Sequence, residues 1–257
     1  MMLKRFLYRC RSAILFTILI PMTVSGAFEG FFSQSDDFLF NGYNYSKGRC
    51  VCFSKIEKYG LSELALNRIK TLYFKDAMSC GFDLYSSGDE IYREHRLSTI
   101  FGLKVKDCRH FIIADIYRTS IAEYGSATAP GIGLKTEWEI KPVVTIAAGI
   151  DGLIVGKIRD NHVDIGRTGW TRIDWIAGEK LRIKLWMEFS ERYNASFSIG
   201  VEQLISDHFG FRFLLSDYPS CAGWGMFFHF RNWVINFAVT QTQPLGWSQG
   251  AGIQFVW

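Results

Sequence analysis

Apolar and polar side chains alternate with a period of two along much of the chain. Between Leu181 and Ser190 every odd position is Leu, Ile, Met or Phe, while most even positions are charged or polar. The alternation recurs over residues 97–106, 132–141, 196–205, 208–216, 223–231 and 233–240. This pattern predicts β-strands with one apolar and one polar face.

The length of these segments separates two classes of β-protein. Each periodic run is about ten residues long, whereas strands of globular proteins average about 5–6 residues. A tilted strand that crosses a bilayer needs about 9–11 residues. The pattern therefore predicts an all-β fold, an antiparallel transmembrane β-barrel of about 12 strands within a range of 10–14.

A soluble β-sandwich also alternates, but its apolar rows face inward. Tryptophans near the ends of the apolar rows favour the barrel, because aromatic residues gather at both membrane interfaces. These are Trp138, Trp224, Trp233, Trp247 and Trp257. In this orientation the apolar rows face lipid and the charged rows face the lumen.

Two segments depart from the alternation. Residues 61–72 fit helical spacing with Ser62 as a cap, but a strand over Leu66 to Lys75 fits equally well. Residues 154–178 are less regular, and Asp160-Asn161 suggests the turn of an outer hairpin.

The N-terminus has the pattern of an export signal. Four basic residues precede a run of about ten apolar residues, and small residues follow, as at a signal-peptidase site. A membrane anchor is the alternative, but a spanning helix needs about 20 residues. We therefore expect a cleaved signal peptide at 1–26 and the barrel at 27–257, with an irregular segment at 27–48.

Removing this segment changes the charge balance. The chain has 29 basic and 25 acidic residues, and the signal takes four basic ones, which leaves 25 of each. Nucleic-acid binding loses its electrostatic support. Five cysteines would remain, either as free thiols or with Cys50 or Cys52 paired to Cys80.

The polar rows contain the candidate functional residues. In a barrel they would line the lumen, as a selectivity lining or ligand site, or as cross-strand ion pairs that fill a narrow interior. The candidates are Lys135, Glu137, Glu139, Arg182, Lys184, Glu188, Glu202, Arg212, His229 and Arg231. The sequence lacks GxSxG and HExxH motifs, so we expect no enzyme, cofactor or metal site.

Several segments resemble motifs of the PorV/PorQ-like outer-membrane barrels, relatives of the FadL fatty-acid transporters. Tyr59–Leu64 resembles "FGLxEL", and Gly88–His95 resembles "GxxLYxE". The last strands supply three further matches, at Ile199–Glu202, Phe211–Phe213 and Gln243–Ser248. The alternating C-terminal residues Ile253, Phe255 and Trp257 resemble the signal read by the barrel-assembly machinery.

The resemblance implies a barrel in the outer membrane of a Gram-negative-type bacterium. Its expected role is transport, or protein export and surface anchoring. The expected partners are outer-membrane lipid, the barrel-assembly machinery, and secretion-system or cargo proteins. The alternatives are a structural or assembly-partner barrel with a charge-filled lumen, and a secreted soluble β-protein.

Overall fold

The computed structural model describes residues 48–155, 167–190 and 195–257. The expected signal peptide, the irregular segment up to residue 47 and the Asp160-Asn161 turn lie outside these ranges. In the described part, no helix has both the length and the apolarity to cross a membrane.

The described residues form one antiparallel sheet that closes on itself. Each strand pairs with its sequence neighbours, and the first strand pairs with the last. The strands are β1 (Gly48–Glu57), β2 (Ala65–Lys75), β3 (Met78–Gly88), β4 (Tyr92–Val105), β5 (Cys108–Ile121), β6 (Gly125–Lys141), β7 (Val144–Val155), β8 (Thr168–Ile176), β9 (Leu181–Ser190), β10 (Ser196–Ser206), β11 (Phe209–Ser216), β12 (Cys221–Phe230), β13 (Trp233–Thr242) and β14 (Gly246–Val256).

The predicted closed antiparallel barrel is confirmed, but its described part has 14 strands rather than about 12. The count was low because alternation is weak near the N-terminus. In β2, Leu66 is buried while Ile69, on the other face, is exposed, so this strand is apolar on both faces. A two-sided apolar strand does not give a clean period-two pattern.

The ambiguous segment at 61–72 is resolved as a short turn followed by a strand. Ser62–Leu64 forms a single 3-10 turn, and β2 begins directly after it at Ala65. Ile69 and Leu72, which fit helical spacing, lie on opposite faces of β2 because their positions differ by three residues in a strand. The helical interpretation is wrong here.

The two faces of the barrel wall differ sharply in exposure. Arg212 is 1% exposed, while its neighbour Phe213 is 54% exposed. The same contrast separates Trp186 from Phe197 and Ile56 from Phe53. Apolar side chains therefore cover the outside of the cylinder and many polar ones are buried inside. This is the arrangement of a barrel whose outer solvent is lipid.

The two ends of the barrel differ in the length of their connections. At the end where the chain enters β1 and leaves β14, two-residue turns such as Asp76-Ala77, Lys106-Asp107 and Arg231-Asn232 predominate. Their first residues have positive φ angles of 51°, 55° and 54°, as tight hairpins require. The other end carries longer connections, including residues 58–64 and 217–220. We call these the turn end and the loop end.

Aromatic side chains cluster outside the turn end. The rings of Trp233 and Phe255 are 4.6 Å apart, and those of Phe255 and Trp257 are 5.1 Å apart. Trp175, near the end of β8, is 47% exposed on the same outer surface. Toward the loop end, Trp247 is 57% exposed. Aromatic residues near both ends of an apolar band match the girdles of membrane barrels.

Candidate functional site: the ion-paired interior

Among the described residues, the register of the strands joins charged side chains inside the barrel into four groups. The first group lies on β2 and β3. Arg68 Nε donates a hydrogen bond of 2.7 Å to Asp83 Oδ1, and its Nη2 contacts the second carboxylate oxygen. The guanidinium lies 4.7 Å from the centre of the Tyr85 ring. Two contacts to one carboxylate fix the arginine rigidly.

The second group, which we call the Arg96 group, joins β4, β5 and β7. Arg96 Nε lies 3.0 Å from Asp115 Oδ1, and Ser98 Oγ donates a 2.5 Å hydrogen bond to the same oxygen. Arg96 Nη2 lies 3.9 Å from Asp151, whose side chain is 31% exposed. The Tyr117 ring lies 5.2 Å from the guanidinium. One cation therefore faces two carboxylates.

The third group crosses from β6 to β9. Glu137 lies 2.7 Å from Lys135 on its own strand and 3.6 Å from Arg172 on β8. The intervening strand contributes only Ala147, directly between Glu137 and Arg172 in the register. Asp174 then lies 2.9 Å from Arg172 and 3.8 Å from Lys184. A small residue on the middle strand thus lets two charges meet across it.

The fourth group, which we call the Arg212 group, joins β9, β10, β11 and β13. Arg212 Nε donates to Glu202 Oε2 at 2.7 Å, and Nη1 donates to Asn236 Oδ1 at 2.9 Å. Arg182 lies 3.9 Å from the other oxygen of Glu202. The Arg212 guanidinium also lies 4.4 Å from the centre of the Phe227 ring. Arginine and glutamate here are 1% and 4% exposed.

Glycines give the inner aromatic rings space to lie against the wall. A Cβ added to Gly149 would come within 2.6 Å of Trp170, and one on Gly210 within 2.4 Å of Phe227. Gly102 makes the same room for Phe111. Cations then lie over several of these rings, such as Lys135, 4.9 Å from the centre of Phe111. Glycine, ring, cation and carboxylate therefore form successive layers toward the lumen.

An apolar cluster accompanies the charges inside the barrel. Its members are Ile56, Leu66, Trp186, Leu214 and Ala238, each at most 3% exposed. They lie on β1, β2, β9, β11 and β13, respectively for Ile56, Leu66, Trp186, Leu214 and Ala238. These strands fall within the arc that runs from β2 through β1 and β14 to β9, about half of the circumference. Ile56 and Leu66 lie close to the loop end of their strands. Little of this inner surface is open to water.

The structure brings most of the predicted lumen residues into the ion-pair groups. Those found there are Lys135, Glu137, Arg182, Lys184, Glu202 and Arg212. Glu188 pairs in register with Trp170 and Ser196 on the same inner face. The ring of His229 lies 5.4 Å from that of Phe227.

Two predicted residues lie elsewhere. Glu139 is half-exposed near the turn end, 3.5 Å from Lys104. Arg231 does not line the wall, because it occupies the exposed β12–β13 turn with a φ of 54°. A strand with period two does not show where it ends, so the last charged residue was counted one position too far.

Sequence reasoning missed half of the interior groups. Arg68, Asp83 and Asp115 lie on strands outside the periodic runs, and Arg96 lies one residue before the run at 97–106. Arg172 lies in the segment judged irregular. The missed signal was the two-residue spacing of Arg172 and Asp174, which places both on one face of a strand.

The C-terminal residues form the outer surface of the closing strand. Ile253 and Trp257 are 45% and 50% exposed, and Phe255 is half-buried between Trp233 and Trp257. The chain ends where β14 meets β1. Residues Arg49 and Trp257 exchange two backbone hydrogen bonds of 3.0 Å.

The cysteines of the described part are free thiols. Cys50 and Cys52 are buried on the inner face, whereas Cys80 is exposed. Cys80 pairs in register with Phe101, which is 57% exposed on the outer surface. A bond from Cys80 to either inner cysteine would have to pass through the wall. Within residues 48–155, 167–190 and 195–257, no three His, Cys, Asp or Glu side chains are placed to hold a metal ion.

Known proteins resemble this chain in structure rather than in sequence. No family model matches it. No curated protein matches it either. Among solved structures, the CymD monoaromatic hydrocarbon channel matches with a TM-score of 0.60 and 8% identity, covering 83% of this chain and 89% of CymD. The likeness is one of fold.

Two further barrels show the same likeness. The Ralstonia pickettii toluene transporter TbuX has a TM-score of 0.55 and 10% identity, covering 83% of this chain and 90% of TbuX. The Acinetobacter baumannii outer-membrane protein Omp33 has a TM-score of 0.55 and 8% identity, with coverages of 82% and 98%. The described strands close into a barrel, and the match covers most of the length of each of these solved structures.

Proposed function

We propose that this protein is an outer-membrane barrel that carries small, largely apolar molecules across the membrane. The observation that carries the proposal is the contrast between an apolar, exposed outer wall and an ion-paired, buried interior. The exposed outer rows, the aromatic girdles and the unequal ends are the features of bacterial outer-membrane barrels. In that setting the turn end faces the periplasm and the loop end faces outward.

The interior argues against general diffusion of ions and sugars. A diffusion pore keeps a polar, water-filled channel, but the charged side chains here contact each other. Arg212 and Glu202 are nearly inaccessible to water. Their pairing also removes the one-sign ring of charge that would select cations or anions. The interior in this structure therefore offers hydrated ions and sugars no unpaired charged groups to bind.

The proposed substrate class follows from the inner apolar cluster and from the fold. Ile56 and Leu66 form a buried apolar layer near the loop end, where molecules would arrive from outside, and Trp186 continues it at the middle of β9. A hydrophobic constriction of this kind excludes ions by dewetting and does not exclude apolar molecules. Proteins named a monoaromatic hydrocarbon channel and a toluene transporter share the fold. Small aromatic or aliphatic compounds are the substrates to test first.

A second candidate is a closed barrel that acts in assembly or protein export without transport. Burial of the Arg212 group favours it, because so rigid an interior would have to rearrange before anything passed. The export and surface-anchoring role has its support in the sequence motifs that resemble PorV-like barrels. In either case the proposed partners are outer-membrane lipid, the barrel-assembly machinery recognising Ile253, Phe255 and Trp257, and secretion or cargo proteins.

Reconstitution separates these candidates. The purified protein is inserted into liposomes for uptake of radiolabelled toluene and into planar bilayers for single-channel recording. The proposed function predicts toluene uptake above protein-free liposomes, with few or no ion-conducting events. Uptake equal to that of empty liposomes would leave the export or structural role standing. Large ohmic conductance would contradict the closed interior.

Two tryptophan variants test the role of the apolar cluster. Trp186→Ala removes the largest side chain of the cluster. It should produce ion-conducting events and faster toluene uptake, because less side-chain volume then blocks the path. Trp175→Ala is the matched control, since that tryptophan lies outside the barrel and is 47% exposed. Identical recordings from both variants would show that the cluster does not close the path.

A further inference from the structure

Three basic side chains lie together on the outer wall, at the loop end of β4 and β5. His95 pairs in register with Arg118, and Arg93 lies two residues beyond His95 on the same face. Opposed Cβ atoms on paired strands are about 4.5–5.5 Å apart, and diagonal ones about 7–8 Å. Arg93 and Arg118 are both exposed, so their long side chains can reach one shared partner. We call these three residues the cationic cluster.

The cluster begins where the apolar outer wall ends. One register row consists of Leu84, Leu97, Ile116 and Pro130. The next row toward the loop end consists of Ser86, His95, Arg118 and Thr128. The row beyond it consists of Gly88, Arg93, Ser120 and Ser126. The outer face thus changes from apolar to basic and hydroxyl-bearing within one step of the alternation.

This level coincides with the head groups of a bilayer if the barrel spans a membrane, and in that respect the inference rests on the proposed function. Two residues of a strand tilted by about 40° advance about 5 Å along the membrane normal. The head-group layer on each side of the hydrocarbon is about 5–7 Å thick. With the last apolar row at the edge of the hydrocarbon, His95 and Arg118 lie within that layer.

In the described part of the chain, the cationic cluster has no carboxylate within salt-bridge distance. Asp89, on the β3–β4 connection, interacts with the charge of Arg93 at longer range. One of its oxygens accepts the backbone N–H groups of Ile91 and Tyr92, at 2.8 and 2.9 Å. Like charges on neighbouring strands are unfavourable, and the charges of both arginines act on His95. An anion from outside the chain would stabilise this arrangement.

The first strand carries a compensated cation at the same end of the barrel. Lys55, exposed on the outer wall toward the loop end of β1, lies 3.0 Å from Glu57 Oε1. Gln249 Nε2 donates a 3.3 Å hydrogen bond to the other oxygen of Glu57. Because its charge is already paired, Lys55 is a matched control for the cluster.

The charge and geometry of the cluster fit a phosphate monoester on a glycolipid. Two guanidinium groups carry two positive charges, and a phosphate monoester carries about 1.5 to 2 negative charges at neutral pH. Arginine binds phosphate oxygens through two parallel N–H donors. The hydroxyls of Ser120, Ser126 and Thr128 flank the cluster and can bond to the hydroxyls of a sugar. Below them, the exposed Leu97 and Ile116 offer a surface for acyl chains.

We propose that the cationic cluster binds a phosphorylated glycolipid of the lipid A type in the outer leaflet. Arg93 and Arg118 hold one phosphate monoester between them, and His95 contributes a ring N–H donor. The acyl chains lie over the apolar rows of β4 and β5. The site is on the membrane side of the wall and is separate from the ion-paired interior.

Native mass spectrometry of the full-length protein tests the proposal. The barrel is released from nanodiscs that contain equal amounts of lipid A, phosphatidylglycerol and phosphatidylethanolamine, and the retained lipids are identified by mass. We expect one lipid A per barrel, and we expect lipid A without its phosphates not to be retained. Preference for either phospholipid, equal retention of all three lipids, or equal retention of the dephosphorylated lipid would overturn the proposal.

Charge variants locate the site. Arg93→Gln and Arg118→Gln should each lower the affinity for lipid A about tenfold, as expected for the loss of a charge-assisted contact. Added salt should weaken the wild-type complex. Lys55→Gln removes an exposed cation at the same end of the barrel and should leave the affinity unchanged. Equal losses in Lys55→Gln and Arg118→Gln would show that lipid A binds through general surface charge and not at the cluster.

Folding and uptake assays keep this result apart from the proposed function. Each variant is first checked for heat-modifiable migration on gels and for insertion into nanodiscs. A folded, inserted wild-type barrel that retains no lipid A refutes only the lipid site. Retained lipid A without toluene uptake refutes only transport. Wild-type protein that stays soluble without detergent refutes the membrane barrel itself.

Discussion

The Arg212 and Arg96 groups use the same chemistry but are packed differently. Arg212 and Glu202 are 1% and 4% exposed, whereas Arg96 is 16% and its distant partner Asp151 is 31% exposed. Phe227 covers the guanidinium of Arg212 at 4.4 Å. In the Arg96 group the Tyr117 ring lies farther from its guanidinium, at 5.2 Å.

This difference separates structural from adjustable charge pairs. Neighbouring side chains enclose the Arg212 group, so water cannot replace its hydrogen bonds if they break. The Arg96 group borders more open space, and Asp151 sits at a distance of 3.9 Å that a small movement would change. If the barrel transports the proposed substrates, we expect the rearrangement of its interior to begin beside β4–β7 and not beside β9–β13.

The largest expected effect is at Arg212. Arg212→Met leaves Glu202 buried without its closest cation, which should cost about 3–5 kcal/mol of folding free energy. Urea-induced unfolding of the protein inserted in lipid vesicles measures this. The double variant Arg212→Met, Glu202→Gln should recover most of the loss. A single variant as stable as wild type would show that the group is not structural.

The adjacent residue tests the orientation of the wall. Phe213→Lys places a charge on the outer face near the middle of β11, and should cost about 2–4 kcal/mol if that position lies at the bilayer centre. The same unfolding assay applies. If the lysine causes no loss of stability, Phe213 does not face lipid. The assignment of Arg212 and Arg96 to the inner face would then be wrong.

The Arg96 group should respond more weakly in stability but more strongly in transport. Arg96→Met removes a charge-assisted hydrogen bond, worth about 1.5–3 kcal/mol, and water can reach part of the site. Toluene uptake should change while unfolding shifts less than in Arg212→Met. Equal destabilisation of both variants, with unaltered uptake, would remove the distinction between the groups.

The smallest effect is expected at the rim. Lys104 and Glu139 are 3.5 Å apart and 38% and 53% exposed. Such exposed pairs contribute about 0–1 kcal/mol. Lys104→Gln should therefore leave unfolding nearly unchanged, and any difference should fade with added salt. A large, salt-independent loss would mean that this rim is more enclosed than its exposure indicates.

The sequence predicts the C-terminal half of the barrel well because its two faces differ in chemistry. In β9, Ile183 and Leu185 alternate with Arg182 and Lys184, so the period of two is visible. In β1–β3 the inner face includes Ile56, Leu66 and Tyr85, and the two faces become alike. Strand number therefore could not be read from periodicity alone.

Partners inside the barrel depend on register, which alternation does not specify. Glu137 meets Arg172 only because Ala147 stands between them on β7. Arg96 meets Asp151 from three strands away. The sequence predicts which residues face inward on the regular strands, but not which of them form pairs.

The joining of the first strand to the last sets the order in which this molecule can be built. Arg49 and Trp257 bond to each other across almost the full described length of the chain. Contacts between such distant residues form slowly, since the intervening chain must be ordered first. Until they form, β1 and β14 each present an unpaired edge that another chain can occupy. A nascent copy is thus most vulnerable to aggregation in the interval before its ends find one another.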